Sequence, residues 1–228
     1  MFPPSKVSSK VFLVALISAL ASPAVSDGFN GQLSIVHADD RDDDDDRTIA
    51  ARGSFAGDIG GGFGYQLDFG NTQLYQDSDT ADTLGFHLTY QPMENLDLGL
   101  YFGVEDEFGD TYTDTVLEAK YSLGDFEFEG MTARERFEGT GSPIGYSRLK
   151  VGYTFAERFT VSAASIDYDD ETYVALEVEA RFGSTILGAR LMNEQDDDDS
   201  QIRFTFTKVF GSGVKFDHPS YLAVFDAT

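Results

Sequence analysis

The chain has 228 residues, with 16 Lys or Arg against 40 Asp or Glu, a formal net charge of −24. So acidic a chain is a poor direct partner for nucleic acid or for anionic headgroups unless divalent cations bridge the two. It has no cysteine, which excludes disulfides and thiolate metal sites and leaves packing and backbone pairing to hold the fold.

Lys6 and Lys10 precede an apolar run from Val11 to Ala21, followed by the small residues Ala24 and Ser26 ahead of Asp27. A positive start, a short apolar stretch and small residues before a cut predict a secretory signal peptide over residues 1–26; the run is too short to span a bilayer as a helix. The remainder divides into 27–210, rich in alternating segments, and a tail over 211–228 whose placement the sequence does not set. Cleavage before Asp27 leaves 14 basic against 40 acidic side chains, a formal charge of −26.

About twelve alternating segments follow in order. Gly31 to Val36 carries Leu33 and Ile35, and Thr48 to Ala56 carries Ile49, Ala51 and Phe55. Gly61 to Gln76 sets Phe63, Tyr65, Leu67 and Phe69 against Gly64, Gln66, Asp68 and Gly70. The cleanest stretch is Thr83 to Val104: Leu84, Phe86, Leu88 and Tyr90 share one parity, and after the turn Gln91 to Asn95 the pattern resumes with Leu96, Leu98, Leu100, Phe102 and Val104. Successive strand side chains point to opposite faces, so this predicts an antiparallel hairpin with one apolar face and one polar, glycine-rich face.

Thr113 to Ser122 and Asp125 to Arg134 come next, with Arg134 on the second segment's apolar parity. Gly145 to Phe155 sets Leu149, Val151, Tyr153 and Phe155 against Arg148, Lys150, Gly152 and Thr154. Arg158 to Ile166 reads in either phase. Thr172 to Phe182 has Val174, Leu176 and Val178 opposing Glu177, Glu179 and Arg181, Ser184 to Asn193 follows, and Ser200 to Phe210 sets Ile202, Phe204 and Phe206 against Arg203, Thr205 and Thr207.

The connections fall into two alternating classes. Gly57 to Gly60, Gln91 to Asn95, Leu123-Gly124, Ala156-Glu157 and Gly183 are short. Ala38 to Arg47, Asp77 to Asp82, Glu105 to Tyr112, Phe137 to Pro143, Asp167 to Glu171 and Glu194 to Asp199 are longer and acidic. In an up-and-down meander this puts every acidic loop at one end and every tight turn at the other, the layout of outer-membrane barrels. Aromatics add to the pattern. Phe55, Phe63, Tyr90, Tyr121, Phe126, Phe155, Phe159, Phe182 and Phe210 sit near the short turns on the apolar parity, an expected interfacial girdle. Tyr75, Phe108, Tyr112, Tyr146 and Tyr168 would form a thinner girdle beside the loops.

On these features the chain resembles the small porin-like outer-membrane β-barrel proteins of Gram-negative bacteria. The resemblance rests on architecture, including the closing strand IRFTFTKVF ending at Phe210, and on no short motif. It implies an all-β, closed antiparallel up-and-down transmembrane barrel of about 12 strands in the outer membrane. Its partners would be membrane lipid and lipopolysaccharide, with small hydrophilic solutes passing through; no oligomeric state follows. Family members typically end at the closing aromatic, and here an 18-residue tail follows.

With lipid outside, the other parity lines a lumen. Asp97, Glu118, Glu127, Glu129, Glu177 and Glu179 then face Lys120, Arg148, Lys150, Arg181, Arg190 and Arg203, since a midplane Lys or Arg facing lipid costs about 2–4 kcal/mol. The acids come mostly from the third to seventh strands and the bases from the eighth to twelfth, so opposed charged walls are expected. The alternative is a salt-bridged interior that closes the barrel; outside the membrane class it is a secreted acidic β-sandwich or lipocalin-like binder. Divalent cations at the acidic loops are a further expectation, although Asp42 to Asp46 lack the glycine and closing glutamate of a calcium loop and read more simply as solvated charge. No catalytic residue, metal centre or cofactor is expected: His37, His87 and His218 have no assignable Ser partner, and GxSxG is missing.

Overall fold

The computed structural model describes residues 30–40, 47–74, 80–107, 110–137, 143–169, 171–195 and 200–217. The expected signal peptide, Asp42 to Asp46, Tyr75, Phe108, His218 and the end of the tail lie outside these residues.

The strands are β1 (Asn30–Asp40), β2 (Arg47–Gly60), β3 (Phe63–Leu74), β4 (Thr80–Met93), β5 (Leu96–Glu107), β6 (Asp110–Leu123), β7 (Phe126–Phe137), β8 (Ile144–Phe155), β9 (Phe159–Tyr168), β10 (Glu171–Phe182), β11 (Thr185–Glu194) and β12 (Ser200–Phe210). Each pairs antiparallel with its neighbours in sequence, and β1 pairs β12 from Gly31↔Phe210 to Asp40↔Gln201, closing a twelve-stranded up-and-down barrel. Closure satisfies the ladder on every strand and leaves no edge to pair with another chain.

Positive-φ residues shape the tight turns at one end. Gly61 and Gly62 (φ 64 and 83) join β2 to β3, Gly124 (φ 60) joins β6 to β7, and Gly183 (φ 62) joins β10 to β11; this backbone twist matches the flanking strands in short hairpins. The β8–β9 turn reaches the same region without glycine, at Ala156 (φ 52) and Glu157 (φ 57).

The strands outrun several sequence-expected bounds. Gly57 to Gly60 belong to β2, so that turn is the following glycine pair. Glu105 to Tyr112, expected as an acidic loop, is almost all strand: Glu105 pairs Tyr112, Asp106 pairs Thr111 and Glu107 pairs Asp110. Tyr168 likewise pairs Glu171. A ladder continues wherever backbone donors and acceptors meet, and acidic side chains do not prevent this.

The parity sorts the chain cleanly into outside and inside. Leu84 and Leu149 are 65% and 69% exposed on the outer face, where Leu98, Leu176 and Phe204 also lie, while Glu118 is buried within. An apolar band around the whole circumference has no counterpart to pack against in the chain itself; hydrocarbon is the solvent that suits it. The ninth strand takes the phase that buries Ser162, Ala164 and Ile166 and turns Val161 out. Arg134 faces outward, opposite Thr115 and Gly145 near the loop end of β7, where its long side chain can extend past the apolar band to water.

Candidate functional site in the barrel interior

The interior has two levels. On the loop side it is packed and largely apolar: Tyr101, Val116 and Ile166 are fully buried, and Tyr146 and Met192 are nearly so. Ala38, Ala50 and Ala81 on the remaining wall are buried as well. Small side chains are covered this completely only where the lumen is filled. This corrects the expectation of a polar interior throughout. It also corrects the thinner girdle: Tyr146 faces inward, Tyr168 packs against the interior cluster, and Tyr112 stays on the inner parity with its ring 5.2 Å from Phe137. Their parity follows that of Arg148 and Glu118, which the outward Leu149 and Leu117 fix. Glu105, Asp114 and Glu135 are buried at this end too. Sequence reading assigned Glu105 to a loop and missed Asp114 and Glu135. Among the described residues, no group of three or more carboxylates or histidines could hold a metal ion.

On the turn side a cavity of about 780 Å³ opens, lined from β1, β2 and β6 to β12 and by Val214 and Asp217. Ten of the twelve expected lumen residues line it: Lys120, Glu127, Glu129, Arg148, Lys150, Glu177, Glu179, Arg181, Arg190 and Arg203. The charges pair locally and do not stand as opposed walls. Lys120 Nζ lies 2.9 Å from Glu129 and 3.7 Å from Glu127, and Arg148 reaches Glu129 at 3.5 Å. Lys150 meets Glu177 at 2.5 Å and Arg190 approaches it at 3.8 Å. Cross-strand neighbours such as Lys120↔Glu129 and Glu129↔Lys150 make this pairing unavoidable.

Asp97 and Glu118 are drawn into a separate network on the β3–β6 wall. His87 is fully buried, with Nδ1 2.7 Å from Asp68 Oδ2 and Nε2 2.7 Å from Glu118 Oε2. Ser54 Oγ donates to Asp68 at 2.5 Å and Gln66 Nε2 donates to the same oxygen at 2.8 Å. Both ring nitrogens of His87 are engaged by carboxylates, so neither is available to activate a nucleophile. Tyr101 lies over this network, its ring 4.8 Å from that of His87. It needs glycine around it: a Cβ on Gly85 or Gly103 would come within 2.1 or 2.3 Å of the tyrosine.

The network extends into the chain beyond β12. Gly211 (φ 60) and Gly213 (φ 81) bend the backbone inward, and Ser212 N donates to Asn30 Oδ1 at 3.0 Å. Lys215 Nζ then meets Asp97 at 2.8 Å, Gln66 Nε2 donates to the Phe216 carbonyl at 2.9 Å, and the buried Phe216 ring stacks on His87 at 5.8 Å. Asp217 lines the cavity and interacts with Lys120, Arg148 and Lys150.

The expected girdle residues Phe55, Phe63, Tyr90, Tyr121, Phe126, Phe155 and Phe182 are exposed on the outer face near the turn end, and Phe210 closes β12 opposite Gly31. Several meet across strands: Phe63 and Tyr90 stack at 4.5 Å, and Phe155 and Phe159 at 5.5 Å.

A closed twelve-stranded up-and-down barrel, apolar outside and with a charged cavity within, is a β-barrel of porin-like fold. No family model matches the sequence, and no curated protein sequence matches it significantly. Among solved structures, the KdgM porin aligns over 79% of this chain and 99% of its own with a TM-score of 0.64 at 10% identity; it has been solved in complex with disordered oligogalacturonate. The NanC porin aligns over 77% and 98% (TM-score 0.56, 8% identity), and Omp33 of Acinetobacter baumannii over 80% and 99% (TM-score 0.50, 14% identity). At such identities the likeness is one of fold.

Proposed function

We propose that the protein is a porin-type outer-membrane barrel that takes small hydrophilic solutes or ions into a charged lumen. The observation that carries this reading is the cavity of about 780 Å³, ringed by acidic and basic side chains inside a barrel whose outside is apolar. The outward aromatics near the turns fit a girdle at one membrane interface. The charges of both signs that line the cavity suit polar solutes of either sign, and the KdgM complex with a polar oligosaccharide is a precedent for such cargo in this fold.

The packed loop-side level favours a second reading, a barrel that does not conduct from end to end. Planar bilayers separate the two. Protein refolded into lipid, both intact and ending at Phe210, is expected to give discrete current steps. The absence of steps from both forms would overturn the channel reading and leave the closed barrel.

A further inference from the structure

We infer that Gly211 to Asp217 form a built-in plug, seated in the turn-side half of the lumen beside the open cavity, whose withdrawal exposes the Gln66 and His87 wall to small solutes. This goes beyond the channel reading and needs no passage through the packed level above.

Three contacts of different kinds fix the seat. Lys215 pairs with Asp97 on β5, and the Phe216 carbonyl accepts from Gln66 on β3. The Phe216 ring stacks on His87 of β4, and Asp217 lines the same cavity as Lys120, Arg148 and Lys150. The barrel wall is shaped for it: a Cβ on Gly99 would lie 2.9 Å from the Phe216 ring, so only glycine leaves the ring room at this point of β5. Phe216 is 4% exposed, a burial that a terminal segment hanging free in solvent would not reach. The two positive-φ glycines turn the chain back sharply at the mouth, next to the β1–β12 seam.

Contacts of this kind are reversible. The ion pair and carbonyl hydrogen bond of the segment have replacements in water. The stacked ring and the fit against Gly99 hold it in place. Removing the plug uncovers Gln66, His87 and Gly99 and takes the Asp217 carboxylate out of the cavity.

The test uses the chain's lack of cysteine. Gln66→Cys places a thiol on the β3 wall at the position whose amide bonds the Phe216 carbonyl, and its reaction with a water-soluble maleimide in detergent micelles reports access to that wall. Three forms are compared in that background: the intact chain, the chain ending at Phe210, and the full-length chain with Lys215→Glu and Phe216→Ala. The last keeps the test informative should truncation impair assembly, and heat-modifiable gel mobility verifies folding of each. Labelling at least ten-fold faster in the truncated or doubly substituted form than in the intact chain is the expected result. Equal rates in all folded forms would overturn the plug. The outcome is independent of the current measurements: tail-dependent labelling without current sinks the channel and keeps the plug, and current with tail-independent labelling does the reverse.

Discussion

On the β3–β6 wall His87 and Asp68 have fully buried side chains and Glu118 is 5% exposed, whereas on the wall from β6 to β11 the side chains of Glu129, Glu177, Lys150 and Lys120 remain 11–21% exposed around an open cavity. Both walls use carboxylates and bases at hydrogen-bonding distance, and they differ in solvent. Breaking a pair away from water leaves a charge with nothing to replace its partner, while in a wet cavity water takes the vacated place. The first wall therefore acts as a structural keystone, while on the second water stands ready to replace a lost partner.

The largest expected effect follows directly. His87→Ala brings Asp68 and Glu118 together without the imidazole between them and removes the surface on which Phe216 stacks, so unfolding in denaturant is expected to show a loss of about 3–5 kcal/mol. A loss below about 1 kcal/mol would place the dry wall in the same class as the wet one and break the comparison. Next comes packing. Gly85→Ala drives a Cβ to 2.1 Å from the Tyr101 ring and should cost about 1–3 kcal/mol, whereas Gly145→Ala, whose nearest neighbour would stand at 3.9 Å, should stay within about 0.5 kcal/mol. Similar losses at both glycines would mean that the interior near Tyr101 can yield.

The outer face was legible in the sequence because it obeys one rule along its whole length: Leu84, Phe86 and Leu88 follow the same parity as Leu98, Phe102 and Val104, and closure at Phe210 needs only an even number of such strands. The interior was less legible. Val116 and Ala133 stood on the polar parity from the start, but a period of two cannot say whether inner residues a half-circumference apart face a gap or pack together. The seat of the tail stayed open for a different reason. Gln66 and Phe216 are 150 residues apart, and nothing periodic links a residue on the third strand to one beyond the twelfth. The acidic stretch at Glu105 misled through composition, since charge suggests a loop while the backbone was free to continue its ladder inward.

On the wet wall the effects are smaller and salt-dependent. Glu129→Gln weakens contacts to Lys120 at 2.9 Å and Arg148 at 3.5 Å, and the exposure of these groups holds the expected loss to about 1 kcal/mol or less at low ionic strength. Near 1 M salt, where the Debye length falls to about 3 Å, the difference from the parent should shrink further. A loss unchanged by salt would show that these pairs are sealed from solvent in the way the His87 network is.

The smallest effect has the opposite sign. Ala156 and Glu157, in the β8–β9 turn, line the same cavity and adopt φ near 52 and 57 without being glycine, a conformation that costs an L-residue about 1–2 kcal/mol. Glycine removes that cost and gives back part of the gain through its freer unfolded chain, so Glu157→Gly should raise stability by roughly 0.5–1 kcal/mol. The dry wall offers no comparable gain, because its glycines already stand where Tyr101 and Phe216 require them. A loss of stability in Glu157→Gly, measured by denaturant unfolding against the parent, would show instead that contacts of the Glu157 side chain outweigh its backbone strain, and the turn would then belong with the keystone side of the barrel.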